Sequence, residues 1–264
     1  MQNKIKKPAV LCGKLQEGIR KLENVAAATY GTGRMLQYKN RAGRYASTAS
    51  FAELLREAAF NDSDMDRTAA VLRDAEIPGQ GVKTALILLS ALLERGTRIG
   101  CAEEDWQHIS SILDYGTSFL DRIAAESGGK VPGGGLTLLT LCRPLQKYGR
   151  DSQCERAAGV VTYALEQPLL KLAEASGFDG CEVFERVKAL APNQFFSLHH
   201  VGIENSIPVD AKYTDYIKVG LDIQKGSVMD LQSAGVMEDV ELLKQVLQFV
   251  NQSMTAVLNV MCAV

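Results

Sequence analysis

The stretch from Thr84 to Leu93, Thr-Ala-Leu-Ile-Leu-Leu-Ser-Ala-Leu-Leu, constrains the fold more than any other part of the chain. It is apolar almost all round, so as a helix it has to be enclosed by other elements instead of lying on a surface. It falls well short of the roughly 20 apolar residues that a membrane-crossing helix needs, as does the later apolar run from Thr255 to Val264. The chain enters it from Ile77-Pro-Gly-Gln-Gly-Val-Lys83, where a proline and two glycines give a tight loop that opens directly into the helix. The spacing predicts a central helix that ends near Arg95, with amphipathic helices around it.

Those helices are readable. Leu15, Ile19, Leu22, Ala26 and Thr29 recur at three and four residues, as do Trp106, Ile109, Leu113, Gly116, Leu120 and Ile123 within Glu104 to Ala125. Ser50 is a cap for a helix with Phe51, Leu54, Leu55 and Ala58, and a second short helix follows to about Asp74. Val161, Leu165, Leu169 and Leu172 mark another from Cys154 to Ala175, in which Pro168 predicts a kink or a fresh start. Val183 to Leu190 and Asp239 to Val257 complete the helical set. Arg34 to Thr48 alternates about a Lys-Asn-Arg-Ala-Gly turn and reads as a β-hairpin. Tyr216 to Asp222 reads as a brief strand, and Ser227 to Asp230 as a capping box for a helix closed by Gly235. Ala191 to Tyr213 has no period and reads as a long loop.

With 29 basic against 31 acidic side chains, the net charge of −2 provides no broad field for nucleic acid or an anionic membrane, so neither is expected as a partner. The basic head at the N-terminus precedes too short an apolar run for a secretory signal, and the expected location is cytoplasmic. Cys12, Cys101, Cys142, Cys154, Cys181 and Cys262 contain no C-x-x-C pair and read as buried thiols. The pair His199-His200 lacks further ligands at metal-binding spacing, so no metal site is expected. Gly79-Gln-Gly-Val-Lys-Thr84 fails as a P-loop, because Val82 stands where that motif needs glycine and no strand precedes it.

Ordered motifs point to a family. Val25-Ala-Ala-Ala-Thr-Tyr-Gly-Thr-Gly-Arg34 resembles the chaperonin helix and its T-L-G-P-K-G-R phosphate loop, one residue short. Pro78-Gly-Gln-Gly-Val-Lys-Thr-Ala-Leu-Ile-Leu-Leu89 stands where chaperonins carry G-D-G-T-T-T-A-T-V-L. Pro132-Gly-Gly-Gly135, Ala164-Leu-Glu-Gln-Pro-Leu-Leu170, and Gly220-Leu-Asp222 through Gly235-Val-Met-Glu-Asp239 follow the family's later motifs in order. The resemblance implies a mainly α fold: a chaperonin equatorial-domain-like bundle of long helices with a small β stem-loop and terminal strands. It also implies one equatorial-like unit over 1–264, its halves (about 1–103 and 131–264) joined by a helical segment over 104–130. The apical domain and most of the intermediate domain would be missing.

The resemblance places nucleotide contacts at Thr29, Gly31, Gly33, Gly79, Gly81, Lys83 and Thr84 on the phosphate side. Gly134, Gly135, Asp222, Ile223 and Glu238 fall on the adenine and ribose side. The family's metal-binding aspartate falls on neutral Gln80, and its T-K-D-G run on Ala46-Ser-Thr-Ala-Ser50, which has no carboxylate. No match exists for the aspartate that polarises water. Hydrolysis needs a Mg²⁺ ligand and a water-positioning group, so the expectation is a non-enzymatic assembly module with no catalytic residue and no certain cofactor. ATP or ADP binding stays open, with Lys83 either supplying charge for phosphate or simply solvated. The alternative is an ATP-binding sensor or weak ATPase that assists folding or complex assembly. The resemblance further implies self-association or contact with another protein through stem-loop 35–45 and the terminal strands Lys7 to Cys12 and Val260 to Val264.

Overall fold

In a computed structural model that describes residues 8–73, 77, 80–190 and 218–262, the chain begins with helix α1 (Pro8–Ala28). A hairpin of β1 (Leu36–Lys39) and β2 (Tyr45–Thr48) follows, then α2 (Phe51–Glu57) and α3 (Ser63–Leu72). The apolar run becomes α4 (Gly81–Arg98), and α5 (Glu103–Ser127) comes next. Then come β3 (Lys130–Pro132), α6 (Leu136–Thr140), α7 (Cys142–Asp151), α8 (Glu155–Ala175) and α9 (Gly180–Leu190). The last part holds β4 (Val219–Asp222), β5 (Ser227–Asp230), β6 (Met237–Asp239) and α10 (Val240–Cys262). The fold is mainly α, as expected. No described helix is long and apolar enough to cross a membrane.

Helix α4 occupies the centre because nearly every face of it is apolar: Val82, Leu86, Leu88, Leu89, Leu92 and Leu93 are all buried. Helices α1, α8 and α10 pack around it, and α5 lies against α8 and α10. Two glycines permit the closest approaches. At Gly81 an added Cβ would meet Ile77 and Leu242, and at Gly96 it would meet the Trp106 ring 2.3 Å away. The helix ends are held as the sequence suggests. Ser50 accepts from the Glu53 N–H, and Asp62 accepts from those of Asp64 and Met65.

The segment expected to join two halves, 104–130, holds a single helix of 25 residues, α5. At its start the Ala102 N–H donates to Asp105, while Arg156 reaches the carbonyls of Ile99 and Gly100. At its end Gly128 takes the left-handed conformation at φ 67°. Strand β3 then pairs antiparallel with β6, Lys130 opposite Asp239, which ties the end of α5 to the start of α10.

Several expectations need correction. Both terminal strands are helical where described: Pro8–Cys12 belongs to α1 and Val260–Cys262 to α10. Pro8 suits a first helical turn, where its missing N–H costs nothing. At the other end no glycine or proline stops α10, and a short apolar run does not distinguish strand from helix. Ser227–Asp230 is strand β5, paired with β4, and not a helix start. Helix α8 runs through Pro168 without a break, with Gln167 Nε2 donating to the Tyr163 carbonyl in the preceding turn. Cys154 is buried and Cys101 and Cys142 are half-buried, but Cys181 is exposed, and these four are free thiols. The long loop over 191–213 and His199-His200 lie outside the described residues.

Candidate nucleotide cleft

The end of α1, the start of α4, the loop before α6, the end of β4 and strand β6 converge. Thr29, buried just beyond the end of α1, offers its carbonyl to Lys83 Nζ at 3.1 Å, and the Tyr30 hydroxyl meets Thr84 Oγ1 at 2.8 Å. Gly31, at φ +67°, backs onto Leu172, and an added Cβ would stand 2.2 Å from its Cδ1 and 3.3 Å from Ile223 Cδ1. Gly134 sits against Leu172 and the Leu221 carbonyl, and Gly135 against the α8 backbone at Pro168 and Leu169. Thr29, Gly31, Lys83, Thr84, Gly134, Gly135, Asp222 and Ile223 are therefore brought together around one joint. Glu238 acts electrostatically on Tyr30 and belongs to the same neighbourhood. Gly33 is separate, exposed with open space where a Cβ would stand, and Gly81 faces α10 instead. Gly79 lies outside the described residues.

What fills the joint is apolar. Tyr30, Ile87 and Leu172 form a small buried cluster, with Ile223 and Ala175 packed on it. None of Tyr30, Ile87 and Leu172 was expected from the motifs. Tyr30 alone left a signal, because it interrupts the polar Thr29–Gly31 turn with a large ring. Burial pushes the Tyr30 phenol well up, countered in part by the Thr84 hydrogen bond.

Lys83 is the clearest departure from the expected site. Its side chain is fully buried, which contradicts the solvated alternative, and its amine points to a protein carbonyl. Loss of hydration lowers its pKa. A lysine spent inward in this way presents no charge to a phosphate. Neutral Gln80 heads α4 with no side-chain capping bond.

Two carboxylates also lie near the joint. Asp222 is buried and organises the β4–β5 turn, its Oδ1 accepting from the N–H groups of Gln224 at 2.9 Å and Lys225 at 3.2 Å. Glu238 keeps part of its residue surface in contact with solvent, but its Oε1 is shut in without a partner. Desolvation raises its pKa to about 8, so it is mostly protonated at neutral pH. Among the described residues no group of three or more His, Cys, Asp or Glu side chains could hold a metal ion. The phosphate side of the joint does not fit a Mg²⁺–triphosphate: it has an inward lysine, a neutral Gln80 and packed Leu172.

The model of the TCP-1/cpn60 chaperonin family matches residues 99–263, from the approach to α5 to the end of α10. The match takes in Pro132–Gly135, Ala164–Leu170 and Gly220–Asp239, whereas Val25–Arg34 and Pro78–Leu89 precede it. Covering well over half of the sequence, it shows that this chain belongs to the TCP-1/cpn60 chaperonin family.

Proposed function

We propose that this protein is a chaperonin-family member that has given up ATP hydrolysis and works as an assembly or interaction module. The observation that carries the reading is Lys83, fully buried with its amine on the Thr29 carbonyl. A phosphate-binding lysine has to keep its charge available, and a buried amine on a neutral acceptor does the reverse. Gln80 in place of a metal ligand and the Tyr30–Leu172 contact support it from the sides. On this reading the protein works in the cytoplasm, as a homo-oligomer or beside another protein.

Calorimetric titration with ATP and a non-hydrolysable analogue, each with and without Mg²⁺, tests it. The expected result is no saturable heat under either condition. Mg²⁺-dependent binding would overturn the reading and revive an ATPase.

One observation favours a second reading, a nucleotide sensor without turnover. Gly134 lies beside the Leu221 carbonyl, next to Asp222 and Ile223, which the resemblance assigns to the adenine and ribose side, and Glu238 Oε1 lacks a hydrogen-bond partner. This reading predicts Mg²⁺-independent binding with a raised melting temperature, since a ligand that binds only the folded state stabilises it.

A further inference from the structure

Near the tip of the β1–β2 hairpin the chain carries a pattern that the cleft does not use. Ser47 has Arg44 three residues before it and Arg41 six residues before it. No other serine or threonine in the sequence has an arginine three residues before it. The surrounding charge has a single sign, since from Asn24 to Ala52 the sequence contains Arg34, Lys39, Arg41 and Arg44 and no acidic residue. Arg41 meets Asp66 at 3.6 Å, whereas Arg34, Lys39 and Arg44 have no carboxylate partner among the described residues.

Three hydroxyls stand close together in this stretch, and their surroundings differ. Thr48 is buried; its hydroxyl donates to Glu53 Oε2 at 2.7 Å and accepts from the Ser50 N–H at 2.9 Å. Ser50 caps α2, its hydroxyl accepting from the Glu53 N–H at 3.3 Å. Ser47 lies on the outer face of β2, exposed, and its hydroxyl bonds no described residue. Arg44 closes the turn with its backbone alone: its N–H donates to Asn40 Oδ1 at 2.9 Å, and its carbonyl accepts from the Asn40 N–H at 2.8 Å. Its side chain is exposed and has no structural duty. An extended strand therefore presents a free hydroxyl together with an unpaired guanidinium at a fixed spacing.

We propose that Ser47 is a phosphoacceptor for a serine kinase that selects basic substrates, with ATP bound to that kinase as the donor. Ser47 Oγ attacks the γ-phosphorus, the new Oγ–P bond replaces the bond to the β,γ-bridging oxygen, ADP leaves, and the hydroxyl proton passes to a base of the kinase. Arg44 supplies the charge by which the kinase tells this serine from the others. The product suits its place. Gln37 stands opposite Ser47 and Lys39 opposite Tyr45, so Lys39 is the diagonal neighbour of Ser47 on the solvent face, within reach of a long side chain. A phosphate with about −1.5 to −2 charge meets Lys39 there, and it offsets about half of the positive charge that Arg34, Lys39, Arg41 and Arg44 give the hairpin. The inference goes beyond the proposed function and does not depend on whether this chain binds nucleotide.

The test incubates the full chain with ATP and calcium/calmodulin-dependent protein kinase II, whose substrates carry arginine three residues before the acceptor. A synthetic peptide of residues 40–52 serves as the unfolded control. The expected result is one phosphate on the folded chain, located on Ser47 by fragmentation mass spectrometry and absent from Ser47→Ala. Arg44→Ala, which leaves the backbone bonds of the turn in place, is expected to lower kcat/KM for the chain as substrate by about tenfold or more. Modification of the peptide with none on the folded chain would overturn the proposal, because the hairpin would then withhold the serine. So would a phosphate on another residue, an unchanged rate with Arg44→Ala, or no phosphate on either substrate. Phosphorus-31 NMR of the product gives a second readout. Lys39 is expected to hold the second pKa of the phosphate below its ordinary value of about 6, and Lys39→Gln to raise it; equal values in the two proteins would overturn the placement beside Lys39.

Discussion

Lys83 and Glu238 are ionisable groups kept from water, and their burial moves their titrations in opposite directions with opposite consequences for stability. The folded state holds the Glu238 proton up to about pH 8, while the unfolded chain releases it near the ordinary glutamate value of 4.5. Its stabilising contribution is therefore full below pH 4.5 and lost as pH rises through 8. Glu238→Gln should flatten that slope, so that wild-type protein loses melting temperature between pH 5 and 8.5 relative to the variant. Lys83 runs the other way. Its lowered pKa means that the unfolded chain binds the proton more readily, so the penalty is present at neutral pH and relieved as pH rises towards 10.5. Lys83→Met, which keeps the volume and removes the charge, should leave stability equal or higher in urea unfolding at pH 7. Lys83→Ala should cost about 3 kcal/mol by opening a cavity. The positions of these groups were legible as motif residues, but their states were not. No sequence pattern reveals that an amine will turn to a carbonyl across 54 residues of chain.

At the scale of elements, the loop before α6 lies directly on the backbone of helix α8. Gly135 sits at φ +78° with its would-be Cβ 2.9 Å from the Leu169 nitrogen. Gly135→Ala should destabilise by at least about 1–2 kcal/mol, the cost of a left-handed conformation for a residue with a Cβ, as read by thermal or urea unfolding. Long helices were legible because their periods were long: α4, α5, α8 and the body of α10 fall within a few residues of their expected bounds. Short elements were not. Ser227–Asp230 satisfies a capping pattern, but its partner β4 recruits it into a hairpin whose turn is built by Asp222 and Gly226, and that pairing is a tertiary event. Pro168 fails as a breaker for a similar reason, because packing against Gly135 and the core holds α8 together around it.

For the whole molecule, the main buried cluster runs from Ile19 through α4, α5 and α8 to Val257 without a gap between the two halves. Unfolding should accordingly be one cooperative transition, with calorimetric and van't Hoff enthalpies equal; two separable transitions would mean that the halves are independent. The fold class was legible from one apolar helix and its amphipathic neighbours. The filled joint was not, since Ile87 and Leu172 look like ordinary core residues until the chain closes. The unbroken α5 also bears on how the chain finds this state. At about 1.5 Å per residue it is a rod of roughly 37 Å, and a helix forms in about a microsecond, long before distant segments meet. A loop in its place would leave the halves searching for one another, whereas the rod sets their separation early and offers α8 and α10 a ready track. A helix breaker at Gly116, where α5 meets Leu145 and Leu247, would thus be felt first as slow folding.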